Sequence, residues 1–148
     1  IISAGVDISD GFVTQNTPEL QGQLSLNYMK DFGPDFGALS ITGSASYRDE
    51  YYLFNVPNEG FDPGTNVIFP LGGPALDPDS YTLLDLSLVW TSPSEKLKFG
   101  IHGRNLTDEE YRVAAYNFVT PSQLGADSAY SAFYGPPRTV TASISYEF

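Results

Sequence analysis

Four ionisable side chains stand where apolar and polar residues alternate: Asp85, Lys98, His102 and Arg104. A carboxylate, two cations and an imidazole are the raw material of acid–base or metal chemistry. The spacing supports neither. His102 is the only histidine, so no Ser/His/Asp set can be placed around it. One imidazole without a second ligand makes a poor metal site. The chain has no cysteine, which removes thiolate ligands and disulfides, and no glycine-rich phosphate loop occurs. Asn105-Leu106-Thr107 matches a glycosylation sequon, but reads more simply as the end of a strand and the base of a loop. Asp108-Glu109-Glu110 reads as a solvated acidic face, the alternative being a cation bridge to anionic phosphates. No enzyme activity, cofactor or bound metal is expected. What remains is non-covalent: hydrogen bonds and ion pairs offered from one face of a strand.

A second group of residues suits ligand contact. Tyr51, Tyr52, Phe54, Phe61 and Phe69 cluster in one long connection, and Tyr116, Phe118, Tyr130, Phe133 and Tyr134 in another. Aromatic rings give large contact area, with a polar handle on tyrosine. Phe61, Phe69, Tyr116, Phe118, Tyr130 and Phe133 are the candidate ligand-binding set. Tyr51, Tyr52 and Tyr134 read instead as packing or interfacial rings.

The elements that must position these residues are strands. Val140, Ala142, Ile144, Tyr146 and Phe148 alternate without a break with Thr139, Thr141, Ser143, Ser145 and Glu147. One face of such a strand is apolar and the other polar. Similar alternation runs through Leu20–Phe32, Leu39–Arg48, Leu84–Thr91 and Leu97–Arg104, and a short strand is expected over Ile2–Ile8. By parity, Leu84, Leu86, Leu88, Trp90, Leu97, Phe99, Ile101, Val140 and Ile144 share one face, opposite Asp85, Lys98, His102 and Arg104. Turn residues fill 33–37 and 92–96. The stretches 55–79 and 107–137 read as long loops, the first too rich in proline and glycine for a regular strand. Short and long connections therefore alternate, as in an up-and-down barrel of the outer membrane.

Composition agrees. The 148 residues carry 7 basic and 18 acidic side chains, a net charge of −11, which excludes a nucleic-acid partner. No run of about 20 apolar residues exists for a helical span, whereas a barrel strand needs only about 9–11 alternating ones. Tyr146 and Phe148 would sit in an interfacial aromatic girdle. The expected fold is all-β, a single-domain segment of an antiparallel transmembrane barrel. Six strands would leave two open edges in hydrocarbon, so further strands of the same protein are expected as partners, the alternative being another chain that supplies the missing strands. Ile1 is not an initiator Met and opens within a strand, which also points to an upstream portion.

Four segments carry a family resemblance. Asn105-Leu106-Thr107-Asp108-Glu109-Glu110-Tyr111 resembles the Asn-Leu-Thr-Asp-x-x-Tyr signature near the end of TonB-dependent outer-membrane receptors. Tyr134-Gly135-Pro136-Pro137-Arg138 resembles the segment opening their last strand, Tyr81-Thr82-Leu83-Leu84-Asp85 the opening of the strand two before it, and Thr17-Pro18-Glu19-Leu20 the start of an earlier one. The resemblance runs through nearly the whole chain, in order. It implies the last six strands of a 22-stranded barrel around a plug, in the outer membrane of a Gram-negative bacterium. Such a receptor imports a scarce small molecule, of iron-siderophore, vitamin or carbohydrate type, on energy passed through TonB. The plug and TonB box would belong to the upstream portion. Implied partners are outer-membrane lipid and lipopolysaccharide, TonB, and the barrel-assembly machinery, which would read Ile144, Tyr146 and Phe148. Asp85, Lys98, His102 and Arg104 would face the lumen and the plug. A passive porin-like barrel and a soluble β-rich binding module are the alternatives.

Overall fold

The computed structural model describes residues 2–3, 6–7, 14–53, 59–62, 67–70, 76–118 and 129–148, with side chains left out of account at 2–3, 6–7, 59–62, 67–70, 117–118 and 129–130. Every regular element among them is a strand: β1 (Ile2–Ser3), β2 (Val6–Asp7), β3 (Gln21–Asp31), β4 (Ala38–Arg48), β5 (Glu59–Asp62), β6 (Val67–Pro70), β7 (Tyr81–Thr91), β8 (Leu97–Arg104), β9 (Arg112–Phe118), β10 (Ala129–Tyr134) and β11 (Thr139–Tyr146). No described helix is long and apolar enough to cross a membrane.

The chain divides into two compact units. One comprises Leu20–Arg48, Tyr81–Glu110 and Pro136–Phe148. It is a five-stranded antiparallel sheet in the order β11-β8-β7-β4-β3. The sheet is not closed: β11 and β3 are its edges. Register aligns the apolar residues in rows. Lys30, Leu39, Trp90, Phe99 and Ile144 form one row; Tyr28, Ile41, Leu88, Ile101 and Ala142 the next; Leu26, Gly43, Leu86, Gly103 and Val140 a third. The opposite face presents Asn27, Thr42, Ser87, His102 and Thr141 in one row and Ser25, Ser44 and Asp85 in another. This is the amphipathic pattern that period-two alternation imposes once register is fixed.

Neither face of this sheet carries a second layer within its unit, and its apolar residues are exposed: Ile144 at 74%, Val140 at 68%, Leu26 at 67%. Phe32, Phe36 and Trp90 pack edge to face at the short-turn end, with centroids 5.6 and 6.4 Å apart, and the Trp90 indole N–H donates to Phe36 O. Tyr146 and Phe148 make a similar pair at 5.3 Å.

The other unit comprises Ile1–Glu19, Asp49–Ser80 and Tyr111–Gly135. It corrects three expectations. Ile2–Ile8 is not one strand; β1 and β2 pair with each other. The stretch 55–79 contains a hairpin, β5 with β6, and 107–137 contains another, β9 with β10. Proline is compatible with this hairpin because Pro70 occupies the last position of β6 in a two-stranded ladder, where its missing N–H costs little. Six sheet strands were expected and five are joined, since the amino-terminal segment pairs with itself.

Register in the main sheet is held at its short turns. Gly33 and Gly37 adopt φ 90° and 84°, and Phe32 N donates to Gly37 O at 2.8 Å. A Cβ on Gly37 would collide with Thr91 O, whereas one on Gly33 would meet open space. Gly33→Ala should therefore cost only the left-handed backbone penalty, about 1–2 kcal/mol, and Gly37→Ala clearly more. Urea unfolding of the two variants checks this; equal losses would show that the Gly37–Thr91 approach does not constrain the turn.

Candidate functional site

A hydrogen-bond network gathers at the end of the main sheet away from its short turns. Asn105, only 5% exposed, is its centre. Strand β8 ends at Arg104, and Asn105 turns the backbone at φ 49°, a conformation asparagine tolerates better than most residues. Its amide nitrogen donates to Glu109 O at 2.9 Å and Pro136 O at 3.1 Å, and its Oδ1 accepts from Glu109 N at 3.0 Å. Asn105 N donates to Asp85 Oδ1 at 2.9 Å, Leu106 N to Leu84 O at 2.8 Å, and the Thr107 hydroxyl to Thr82 O at 2.9 Å. Asp108, at φ 59°, pairs with Arg138 at 2.8 Å. The segment after β8 is thus tied to β7 on one side and to the chain entering β11 on the other. The sequon match therefore covers a buried structural asparagine.

Each candidate on the polar face has a place. Asp85 caps Asn105 N. His102 lies between hydroxyls, Nδ1 2.8 Å from Ser87 Oγ and Nε2 3.2 Å from Ser143 Oγ. Its ring occupies space that a side chain on Gly100 would fill, a Cβ there coming within 2.7 Å of Nε2. Lys98 and Glu147 approach only to 3.9 Å with exposed side chains, an ion pair of little energetic weight. Arg104 pairs in register with Thr139 and is exposed. These four share a face as parity requires, but they do not converge on one point. No cluster of three His, Asp or Glu able to hold a metal occurs among the described residues.

The aromatic candidates divide. Tyr116 and Phe133 meet edge to face at 5.8 Å on the β9–β10 hairpin, and both are at least half exposed. Phe118 pairs in the ladder with Ala129, and Tyr130 with Asn117. Phe61 and Phe69 sit in β5 and β6, opposite Ile68 and Gly60. The side chains of Phe61, Phe69, Phe118 and Tyr130, and all of Phe54, lie outside the described residues. Tyr51 is a packing residue: it is 5% exposed with Leu53 and Leu76, and its hydroxyl donates to Arg112 O at 3.2 Å. In the same unit Arg112 donates to Asp77 O at 2.8 Å and Leu53 N to Asp77 Oδ1 at 2.9 Å. Beside them opens a cleft of about 410 Å³ with Glu19, Asp49, Glu50, Asp77 and Asp79 on its walls.

Sequence reasoning missed a second cleft, of about 430 Å³, on the polar face of the main sheet. Gln21, Gln23, Ser46, Arg48, Tyr81 and Leu83 line it. The signal was available in part, since Gln21, Gln23, Ser46 and Arg48 are the polar partners in their alternations. It becomes a site only when register places three strands side by side. Comparison with protein-family models, with curated proteins and with solved structures gives no match.

Asn105→Ala should destabilise the folded protein by about 2–4 kcal/mol, because the three hydrogen bonds that this buried side chain makes to Glu109 O, Pro136 O and Glu109 N are lost together. Asn105→Asp should do no better, since its carboxylate cannot donate to those carbonyls. Arg138→Gln, which breaks a half-exposed ion pair, should cost under about 1 kcal/mol. Urea unfolding of the three variants checks this ordering.

Proposed function

We propose that this chain forms part of the wall of an outer-membrane β-barrel of the TonB-dependent receptor type, which imports a scarce small molecule on TonB-transmitted energy. One observation carries the reading. A five-stranded sheet exposes rows of Leu, Ile, Val, Trp and Phe on one face and rows of Ser, Thr, Asn and Gln on the other. A water-soluble domain buries such an apolar face under a second layer. A barrel wall turns it to lipid and keeps the polar face inside.

Four further features support it. Register places the starts of β3, β7 and β11 and the ends of β4 and β8 at one end of the sheet, with the turns 32–37 and 92–96 at the other. All long connections thus leave from a single end, as they do in outer-membrane barrels. Strands β3, β4 and β7 each run 11 residues, the length a tilted crossing needs, while β8 and β11 run eight. The aromatic pairs Phe36–Trp90 and Tyr146–Phe148 lie at the short-turn end, where the periplasmic girdle would be. Open edges on β3 and β11 fit continuation of the wall by other strands of the same receptor.

Two experiments test the reading on the full-length protein. Leu86→Arg should cost about 2–4 kcal/mol of stability in lipid, and Ser44→Arg, beside Asp85 on the polar face, much less. Equal costs would refute a lipid-facing wall. In planar bilayers a plugged receptor should show no steady conductance. Persistent open steps would make the protein a passive porin, and failure to enter lipid at all would make it a soluble β module.

A further inference from the structure

We infer that the apolar face of the main sheet seats one phospholipid of net negative charge, from the leaflet at the short-turn end, with its phosphate on Lys30 and an acyl chain in the groove over Gly43 and Ala45. The inference rests on the lipid-facing reading of that face and names the lipid it selects. Two independent features carry it, a charge and a groove. Lys30 shares its row with Leu39, Trp90, Phe99 and Ile144, and no other charge occurs in the three aligned apolar rows. Its ammonium lies 5.3 Å from the centre of the half-exposed Phe32 ring. A ring face attracts a cation and leaves ammonium N–H groups to donate to a phosphate oxygen. Asp31 alternates to the other face, where its carboxylate accepts from Gly33 N at 2.8 Å. The Phe36–Trp90 pair stands at the same end of the sheet, at the level where aromatic rings meet headgroups in a barrel. In a chain of net charge −11, attraction to an anionic lipid is local to such a point and not general.

The groove has the place and depth that an acyl chain of that lipid requires. Leu24 and Leu26 stand on one side of it and Leu84 and Leu86 on the other, around a space of about 320 Å³ over Gly43 and Ala45. A Cβ on Gly43 would meet nothing nearer than Leu86 Cδ1 at 3.9 Å, so the glycine leaves room above β4. Ser44 and Asp85 border the groove but alternate to the opposite face, where Asp85 holds Asn105 N. Leu39 stands opposite Lys30, and Gly43 and Ala45 follow it along β4. At about 3.3 Å per residue they lie about 13 and 20 Å further along the strand. With a tilt of about 45°, the far end of the groove is about 14 Å deep, half of the roughly 30 Å hydrocarbon thickness. The acyl chains of one leaflet end at that depth. The headgroup is selected by charge: a zwitterionic lipid brings its own cation beside the ammonium, and an anionic lipid does not.

The test uses the full-length protein in phosphatidylcholine vesicles, with a bimane fluorophore attached through Tyr28→Cys or through Ala142→Cys. The two positions belong to one row, about 19 Å apart across the sheet, and position 28 is the neighbour of Lys30 on its face. Phosphatidylglycerol or phosphatidylcholine carrying a nitroxide on one acyl chain is added at the same small fraction to quench the label. At position 28 phosphatidylglycerol should associate about fivefold more strongly than phosphatidylcholine, the effect of one basic side chain at an anionic lipid surface. At position 142 the two lipids should quench alike. Lys30→Gln should remove the preference at position 28, and Lys30→Arg should keep it. Gly43→Leu fills the groove, so it should lower quenching at position 28 by both lipids while keeping the preference, and it supplies a reading if Lys30→Gln does not fold. Equal quenching by the two lipids at position 28, the same preference at position 142, a preference that survives Lys30→Gln, or quenching unchanged in Gly43→Leu would overturn the inference and leave the barrel wall standing. Quenching at position 142 with none at position 28 would also overturn it, with protein as the occupant of the patch. No quenching of either label in folded protein would sink the membrane reading and the inference with it.

Discussion

A strand whose side chains alternate between faces has one register that aligns its apolar positions with those of its neighbours, and a slip of a single residue turns them all over. Five strands meet that condition together here, from Lys30, Leu39, Trp90, Phe99 and Ile144 at one level to Leu26, Gly43, Leu86, Gly103 and Val140 two levels on. The main sheet has no buried apolar core to enforce it. Register is held instead at the two ends. At one end, tight turns use positive φ at Gly33, Gly37 and Glu95, and Ser92 N donates to Leu97 O at 2.8 Å. At the other, Asn105 joins the end of β8 to the approach of β11 through Pro136 O, and Leu106 and Thr107 tie the same segment to β7. Clamps at both ends leave the middle of the sheet free to present two chemically different faces.

Those faces divide the physical work. The apolar face offers Leu, Ile and aromatic side chains and, within its three aligned rows, a single charge at Lys30, whose ammonium lies 5.3 Å from the centre of the Phe32 ring. The middle of the polar face is mostly hydroxyls and amides, and ionisable groups on that face include Asp31, Arg48, Asp85, Lys98, His102 and Arg104. His102 engages hydroxyls on both neighbouring strands, which suits a positioned ring in a hydrogen-bonded wall better than a solitary ligand. Segregating hydrogen-bonding groups on one side and hydrocarbon on the other is what a wall between water and lipid requires.

The five long strands and both tight turns could be read from alternation and turn chemistry, because these are local signals of period two and of glycine, proline and asparagine placement. So could the shared face of Asp85, Lys98, His102 and Arg104. The hairpins within the long connections could not. Glu59–Asp62 and Val67–Pro70 are four residues each, too short to show a period, and proline masks the second. Pairing of the amino-terminal segment with itself was hidden for the same reason. The partners of Asn105 were invisible because one of them is a proline carbonyl 31 residues away, which no side-chain pattern reports. The polar cleft depends on Gln21, Arg48 and Tyr81 becoming neighbours across three strands, a fact of register and not of spacing.

The central claim is that one face of the main sheet meets lipid and the other meets water. The most direct measurement is a nitroxide scan of single-cysteine variants along Tyr81–Thr91 in the full-length protein in bilayers, comparing collisions with oxygen and with a water-soluble nickel chelate. The account predicts a period of two, with labels at Leu84, Leu86, Leu88 and Trp90 favouring oxygen and those at Leu83, Asp85, Ser87 and Val89 favouring nickel. Uniform nickel access at both sets, or protection of the even positions from both reagents by a packed protein layer, would contradict it.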